Sequence, residues 1–383
     1  MDKTVALVRC TEYATDQVEA SVRRSVELLG GMGRFVQPGQ RVLVKPNLLQ
    51  LGDPAKAVVT HPTVVRAVVK LAQEAGGRVL LADNPFVAPL TQTGWEHFYE
   101  RVGYTAVAAE TGAELNSHIV PQQQPHPDGR LIKLVDTSSF LTECDVVISV
   151  PKLKTHGLMR FTGAVKNLFG TVPGTTKAGY HVKLQTADRF AEMLLDLVSF
   201  VRPALTVMDA VVGMDGDGPS AGRPFPIGAI IAAADPVAMD VAALSLVGHD
   251  PMSVLTVSRA VERGWTTGQA GDLELVGDNL ATLRVGGFRL PAGGRSEMDM
   301  VPTFLLPLGT RLLVASPHVT ARCIGCGLCI ENCPVQTIAQ VDGQARITLA
   351  DCIRCYCCHE LCPEQAIELH QPWLGRTLAN LAR

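Results

Sequence analysis

The sequence predicts a layered α/β body, built on a mostly parallel sheet with flanking helices, followed by a small cysteine-rich α+β module. Three observations carry that expectation. Short β-branched runs alternate with longer amphipathic stretches through the first two-thirds of the 383 residues. Several runs are apolar almost throughout, as in Asp145-Val-Val-Ile-Ser-Val150, which suits strands covered on both faces. Nine of the eleven cysteines crowd between Cys323 and Cys362, and eight of them fall into two matched runs.

Taken in order, the runs at 5–8, 41–44, 78–81, 146–150, 204–208 and 229–232 read as strands, and the stretches 17–29, 62–75, 187–200 and 236–246 read as helices. In 62–75, Val64, Val65, Val68, Val69 and Leu71 form a core-facing arc, and Pro62 occupies a first turn where its missing N–H costs nothing. Strand, helix, strand order implies parallel pairing with right-handed crossovers. A helix at 252–263 and two short strands at 273–276 and 282–285 complete a body of residues 1–287. Residues 288–315 are expected to be a linker and packing segment, with an apolar, proline-broken stretch at 301–313. The cysteine module spans 316–370, and 371–383 is expected to be a C-terminal helix with Trp373, Leu374, Leu378 and Leu381 near one face.

Composition excludes several classes. A net charge of -3 provides no basic face for nucleic acid, and 5% aromatic residues provide no stacking platform for single strands. The longest apolar stretch, around 227–234, falls far short of the roughly 20 residues a membrane span needs. The chain opens Met1-Asp2-Lys3 and runs straight into a strand without a secretory leader, so a cytoplasmic protein is expected.

The cysteines form two matched runs. Cys323, Cys326, Cys329, Cys333 and Pro334 repeat 29 positions later as Cys352, Cys355, Cys358, Cys362 and Pro363, and the same shift lays Gln336 on Gln365 and Ile338 on Ile367. Three thiolates two residues apart suit three corners of a cubane, and in the two-cluster bacterial pattern the fourth ligand is the last cysteine of the other run. One [4Fe-4S] cluster would take Cys323, Cys326, Cys329 and Cys362, and the other Cys352, Cys355, Cys358 and Cys333. Disulfides fit poorly at one end of a long chain without a leader, and a third evenly spaced cysteine has no place in a tetrahedral zinc site. Residues 316–370 resemble bacterial two-cluster ferredoxins. Cys357 falls outside the frame and reads as a spare thiol.

In α/β folds ligands gather beyond the carboxyl ends of the strands. Lys45, Asn47, Asp83, Lys152, Lys154, His156 and Asp209 follow or end predicted strands and would converge on one sheet edge. Lys166 and Asn167 lie in Gly163-Ala-Val-Lys-Asn-Leu-Phe-Gly170, and Lys177 and His181 in a Gly- and Thr-rich stretch, 171–181, that reads as a loop. Crowded ammonium groups imply an anionic ligand, a carboxylate or a phosphate, between them. The candidate pocket is Lys45, Asn47, Lys152, Lys154, His156, Lys166, Asn167 and His181; the plain alternative for a single lysine or histidine here is a solvated or hydrogen-bonded loop residue, and for Lys177 and Lys183 that alternative is preferred. Gly216-Asp-Gly218 echoes a dinucleotide fingerprint, but its later spacing is wrong, and Asp215 and Asp217 would repel a pyrophosphate. A structural turn is the preferred reading there over a cation site.

The segments Val44-Lys-Pro-Asn-Leu48, Val150-Pro-Lys-Leu-Lys-Thr-His156, Gly163 to Gly170, Met208 to Pro219 and Ala234-Asp-Pro-Val-Ala-Met-Asp240 resemble, in order, the domain of unknown function 362 family. The resemblance implies iron-sulfur cluster binding and no assigned reaction. Two functions follow. In one, an oxidoreductase passes low-potential electrons from two clusters to an anionic small molecule or cofactor at the strand ends. In the other, a non-catalytic electron-transfer, cluster-carrier or assembly protein uses the body to recognise a partner. Either implies an electron donor or acceptor protein.

Overall fold

The β-branched runs at 5–8, 41–44, 78–81, 146–150, 204–208 and 229–232 all become strands of one central sheet, where each has a neighbour to complete its backbone hydrogen bonds. The computed structural model describes residues 3–50, 52–184, 186–291 and 312–373. Most of the expected packing segment and the expected terminal helix beyond Trp373 lie outside these residues.

The body begins with β1 (Thr4–Arg9), α1 (Thr15–Glu27), β2 (Arg41–Pro46), α2 (Pro62–Glu74), β3 (Arg78–Leu81), α3 (Gln92–Arg101), α4 (Tyr104–Thr111), β4 (Glu114–Leu115), β5 (Pro121–Pro125) and β6 (Leu134–Ser138). It continues through β7 (Val146–Val150), β8 (Lys152–His156), β9 (Arg160–Thr162), α5 (Ala164–Asn167), α6 (Gly174–Lys183), α7 (Ala187–Val201), β10 (Leu205–Asp215) and β11 (Arg223–Ala233). It closes with α8 (Pro236–Leu246), α9 (Leu255–Glu262), β12 (Glu274–Gly277) and α10 (Leu280–Leu283). The sheet order is β12-β1-β11-β10-β7-β2-β3-β4, with β8 beside β10 and β9 turned back on β8. Pairing is parallel except where β11 meets β1 and β10 and where β9 meets β8.

Alternation along β2 sends its side chains into two different cores. Val42 and Val44 pack with Val18 and Val22 of α1 and Val64 and Val68 of α2, whereas Leu43 packs with Phe190, Leu194 and Leu197 of α7 on the other face. Helix α8 is apolar nearly all round and lies in a third cluster with Leu7 of β1 and Ile231 of β11. Asp235 caps α8 by accepting from the Val237 and Ala238 amides.

Three readings change. The stretch 282–285 is not a strand, because Asn279 caps a short helix, α10, by accepting from the Ala281 amide at 2.8 Å. Residues 174–183 form helix α6 despite weak intrinsic propensity, since Gly174 lets the backbone close on Pro85 and Phe86. The expected 252–263 helix is split into a 3-10 turn at Pro251–Ser253 and α9.

The cysteine module comprises β13 (Ser316–Val319), α11 (Leu328–Glu331), β14 (Ile338–Val341), β15 (Gln344–Ile347), α12 (Cys357–Leu361) and β16 (Ile367–His370). Its duplication reaches the backbone. Gly325, Gly327 and Gln336 have positive φ in the first run, and Arg354, Tyr356 and Gln365 have positive φ at the matching places in the second. Side chains in that conformation cost roughly 1–2 kcal/mol each, and here they are put to use. The Arg354 guanidinium donates to the Val314 and Ala315 carbonyls, and the Tyr356 hydroxyl donates to Ala315 at 3.0 Å. The module also docks on the body: Gln365 Nε2 donates to Ser220 O at 2.8 Å, and His359 Nε2 lies 3.2 Å from Asp217 O.

Packing at Gly170 is tight, since a Cβ there would overlap Asp83 Oδ1 and Lys45 Nζ, whereas one on Gly179 of α6 would meet nothing within 4 Å. Gly170→Ala is therefore expected to destabilise the fold by about 3 kcal/mol or more, by parting a buried ion pair. Gly179→Ala is expected to stabilise it by about 0.5–1 kcal/mol. Anaerobic thermal unfolding of the two variants beside wild type checks both signs.

Candidate functional site

A cavity of about 50 Å³ opens beyond the carboxyl ends of β2 and β3. Asn47, Asp83 and Asn84 enter it from the strand ends, Lys154 from β8, Thr162 from β9, and Lys166 and Asn167 from α5. Phe169 and Gly170 follow α5, Lys177 and His181 come from α6, and Glu360 from α12. Helix α5 is only four residues long, and Asp240 of α8 fixes its start by accepting from the Ala164 amide at 2.6 Å and the Val165 amide at 3.2 Å. Burial raises the Asp240 carboxyl to about 7. Gly163 must lack a side chain for that carboxylate to approach. Four residues apart on α6, Lys177 and His181 share one face.

The lysines meet unequal fates. Lys45 Nζ lies 2.7 Å from Asp83 Oδ1 and 3.1 Å from the Pro46 carbonyl, forming a closed pair just behind Gly170. Lys152 is not in the cavity wall: its Nζ lies 2.8 Å from Asp209 Oδ2 and 2.7 Å from the Tyr13 hydroxyl, and neither charged partner is exposed. Tyr13 in turn donates to Asp209 Oδ1 at 2.9 Å and stacks on His61. Among the described residues, Lys154 and Lys166 have no carboxylate within ion-pair reach. Lys154 Nζ donates to the Val58 carbonyl at 2.7 Å, and Lys166 Nζ stands 5.7 Å from the Phe169 ring centre. Lys177 Nζ lies 5.8 Å from the same ring centre and donates to the Asn84 carbonyl. Burial pushes all of these ammonium groups down, Lys154 furthest and with Lys166 adding to it, and Lys177 to about 7. An anion among Lys154, Lys166 and Lys177 would reverse that shift.

His156 is held in one tautomer. Its Nδ1 accepts from the Leu158 and Met159 amides at 3.1 and 3.2 Å, so the ring proton of the neutral form sits on Nε2. Nε2 stands 3.0 Å from Glu360 Oε1 but out of hydrogen-bonding alignment. Burial lowers His156 to about 4. For Glu360 burial works against ionisation, yet His156, Lys166 and His181 outweigh it and hold the carboxyl well below its usual range. His181 stacks on Phe190 at 4.6 Å. Asn167 Nδ2 donates to Ser149 Oγ at 2.9 Å, and Asn47 Nδ2 donates to Val58 O at 2.8 Å, so both amides brace the wall.

Two further cavities are walled by thiols. Cys323, Cys326, Cys329 and Cys362 line one; Cys333, Cys352, Cys355 and Cys358 line the other, which Cys357 also borders. Each set is four thiols drawn from both runs, the donor set a cubane requires. Amides of Ala345 and Ala366 donate to Cys323 and Cys362 sulfurs at 3.4 and 3.1 Å, and those of Thr337 and Arg354 donate to Cys333 and Cys352 at 3.4 Å each. Such N–H···S bonds favour thiolates. Cys357 is buried against Phe86 and Leu361, and its bond with Cys355, together with burial, keeps its thiol protonated far above the usual range.

Sequence reasoning placed Asn47, Lys154, Lys166, Asn167 and His181 where the structure brings them together, with Lys45 adjoining through Asp83 and His156 through Glu360. It underrated Lys177, because a Gly/Thr-rich stretch concealed a helix, and it missed Glu360, whose role depends on the module folding against the body. The i, i+4 spacing of Lys177 and His181 was the available signal for the first. Asp215 accepts from Arg223 Nε at 2.6 Å and has Arg289 3.5 Å away, as a structural turn would use it.

Residues 42–245 match the domain of unknown function DUF362, and residues 318–363 match a 4Fe-4S dicluster domain. Across 305 residues, 76% of this chain and 88% of the relative, the sequence is 34% identical to the thylakoid-associated protein sll1697 of Synechocystis sp.. Two solved structures are similar at low level. The lactate racemase apoprotein from Thermoanaerobacterium thermosaccharolyticum is 12% identical with a TM-score of 0.38, covering 62% of this chain and 55% of that one. A Thermotoga maritima protein is 13% identical with a TM-score of 0.34, covering 57% and 54%. The chain thus spans about half the length of those two structures, and their likeness carries no functional argument. The family match over more than half of the length, with the 34% identical relative, shows that the chain belongs to the DUF362 family and carries a C-terminal 4Fe-4S dicluster domain.

Proposed function

We propose that this protein is an iron-sulfur oxidoreductase in which two [4Fe-4S] clusters pass low-potential electrons to a small anion held in the lysine-lined cavity. The observation that carries this reading is the position of α12. Cys357 and Cys358 border one thiol cavity, and Glu360, less than one turn on, borders the lysine cavity, with Phe86 touching Cys357 on one side and the lysine cavity on the other. The cluster on Cys352, Cys355, Cys358 and Cys333 would stand next to the bound anion. The one on Cys323, Cys326, Cys329 and Cys362, with Cys326 exposed, would face an electron-donor protein. Clusters supply single electrons; the chain's own residues bind and orient the anion. Lys154, Lys166 and Lys177 attract it, Asn167 and Asp240 hold α5 in place, and the small enclosed volume limits water. Exposed thiolate ligands suit a reducing compartment, and we place the protein in the cytoplasm. The Synechocystis relative is named a thylakoid-associated protein, and in the described residues of this chain no helix is long and apolar enough to cross a membrane.

Exchanging ligands between runs has a direct test. Cys333→Ser should perturb the electron paramagnetic resonance signal of the cluster on the second run, and Cys362→Ser that of the first. The opposite assignment would show each run holding its own cluster.

Lys154→Ala and Lys166→Ala are expected to weaken sulfate binding tenfold or more while iron content and cluster spectra stay as in wild type. Lys152→Ala should instead cost about 3–5 kcal/mol of stability, since it leaves Asp209 buried and unpaired. Calorimetry and anaerobic thermal unfolding separate the two effects. If both cavity variants bind anions as wild type does, the body serves partner recognition and the chain is a carrier.

Anion binding should also depend on pH. Lys177 titrates near 7 when the cavity holds no anion, and a bound anion raises that value. Binding therefore takes up a proton above about pH 7, and affinity falls as pH rises. Lys177→Gln should bind more weakly and lose that slope, measured by calorimetry in buffers of different ionisation enthalpy.

A further inference from the structure

The lysine cavity contains unspent hydrogen-bonding capacity of both signs, and the two signs constrain its ligand. Asn84 is 1% exposed; its Oδ1 accepts from Ser138 Oγ at 3.0 Å, while its Nδ2 has no partner among the described residues. That donor lies in the same wall as the Lys154 and Lys166 ammonium groups. All three call for an acceptor bearing negative charge. Glu360, 4% exposed, points the other way chemically: its Oε1 lacks an aligned donor, and the nearest, His156 Nε2, stands 3.0 Å off. A carboxylate only accepts. Thr162 Oγ1, also buried without a partner among the described residues, can serve either role.

Resting on the anion-cavity reading above, we propose that the site selects a small oxyanion that carries its own O–H or N–H donor, with the negative end on Asn84, Lys154 and Lys166 and the donor on Glu360. A bare oxyanion would satisfy the cations but press an oxygen against the Glu360 carboxylate. Size points the same way. A water occupies roughly 10–15 Å³ on the measure by which this cavity is about 50 Å³. The ligand therefore has only a handful of heavy atoms, as in a hydroxy- or amino-carboxylate or hydrogenphosphate. Glu360 is thus a specificity-determining residue delivered to the body's site by the cysteine module.

Two probe pairs matched in size test this by calorimetry on the full-length, cluster-loaded protein under anaerobic conditions. The first is glycolate against acetate. The second is phosphate against sulfate, at a pH where both are dianions and only phosphate keeps a proton. The donor-bearing member of each pair is expected to bind about tenfold tighter or more, because the other sets an oxyanion oxygen against the Glu360 carboxylate with no proton between them. Glu360→Gln, whose amide can donate to the anion, should bring each pair to near parity, chiefly by tightening acetate and sulfate. Equal affinities within the pairs in wild type, or a preference unchanged in Glu360→Gln, overturn this inference and leave the anion cavity standing. Failure of all four anions to bind overturns both.

Discussion

Ammonium groups buried side by side lose their hydration and repel one another, and the site of this protein is built around that double penalty. Two of the lysines are answered within the body, Lys45 by Asp83 and Lys152 by Asp209. Lys154, Lys166 and Lys177 are answered only in part, by backbone carbonyls and the face of Phe169. Replacing such groups with apolar residues would often stabilise a fold. Their presence together in one wall is therefore the basis of the anion-cavity proposal.

The remaining compensation arrives from outside the body. Glu360 belongs to the cysteine module, yet its charge is held in place by His156, Lys166 and His181 of the body. The two parts are therefore electrostatically one site. Its neighbours on α12 include the thiols Cys357 and Cys358, so one short helix borders both the thiol cavity and the lysine cavity. Asp240, Gly163 and Gly170 show how narrowly the body is shaped around the same spot, since each permits an approach that a larger or uncharged residue would block.

Much of this was legible beforehand, and the limits have physical reasons. β-branched runs and their apolar continuity marked the sheet, because a strand buried on both faces has little choice of residue. The cysteine spacing marked the thiol sets, because cluster geometry leaves little freedom. Lys154 was legible from its place after a strand end, and Lys166 from the 163–170 segment. Lys152 was too, but only its partners reveal that it turns away, toward Tyr13 and Asp209. Lys177 was obscured because Gly174 and the threonines of α6 are poor helix formers whose conformation tertiary contact decides. Glu360 carried no local signal at all, since its meaning arises from docking.

The paired left-handed positions in the cysteine module have one more consequence. A repeat built from identical halves would present two equivalent faces, and either could settle against the body. Where the first half has Gly325 and Gly327, the second has Arg354 and Tyr356, whose side chains grip the carbonyls of Val314 and Ala315. Loss of glycine at two turns thus breaks a pseudo-twofold symmetry, and an otherwise reversible module acquires a front and a back.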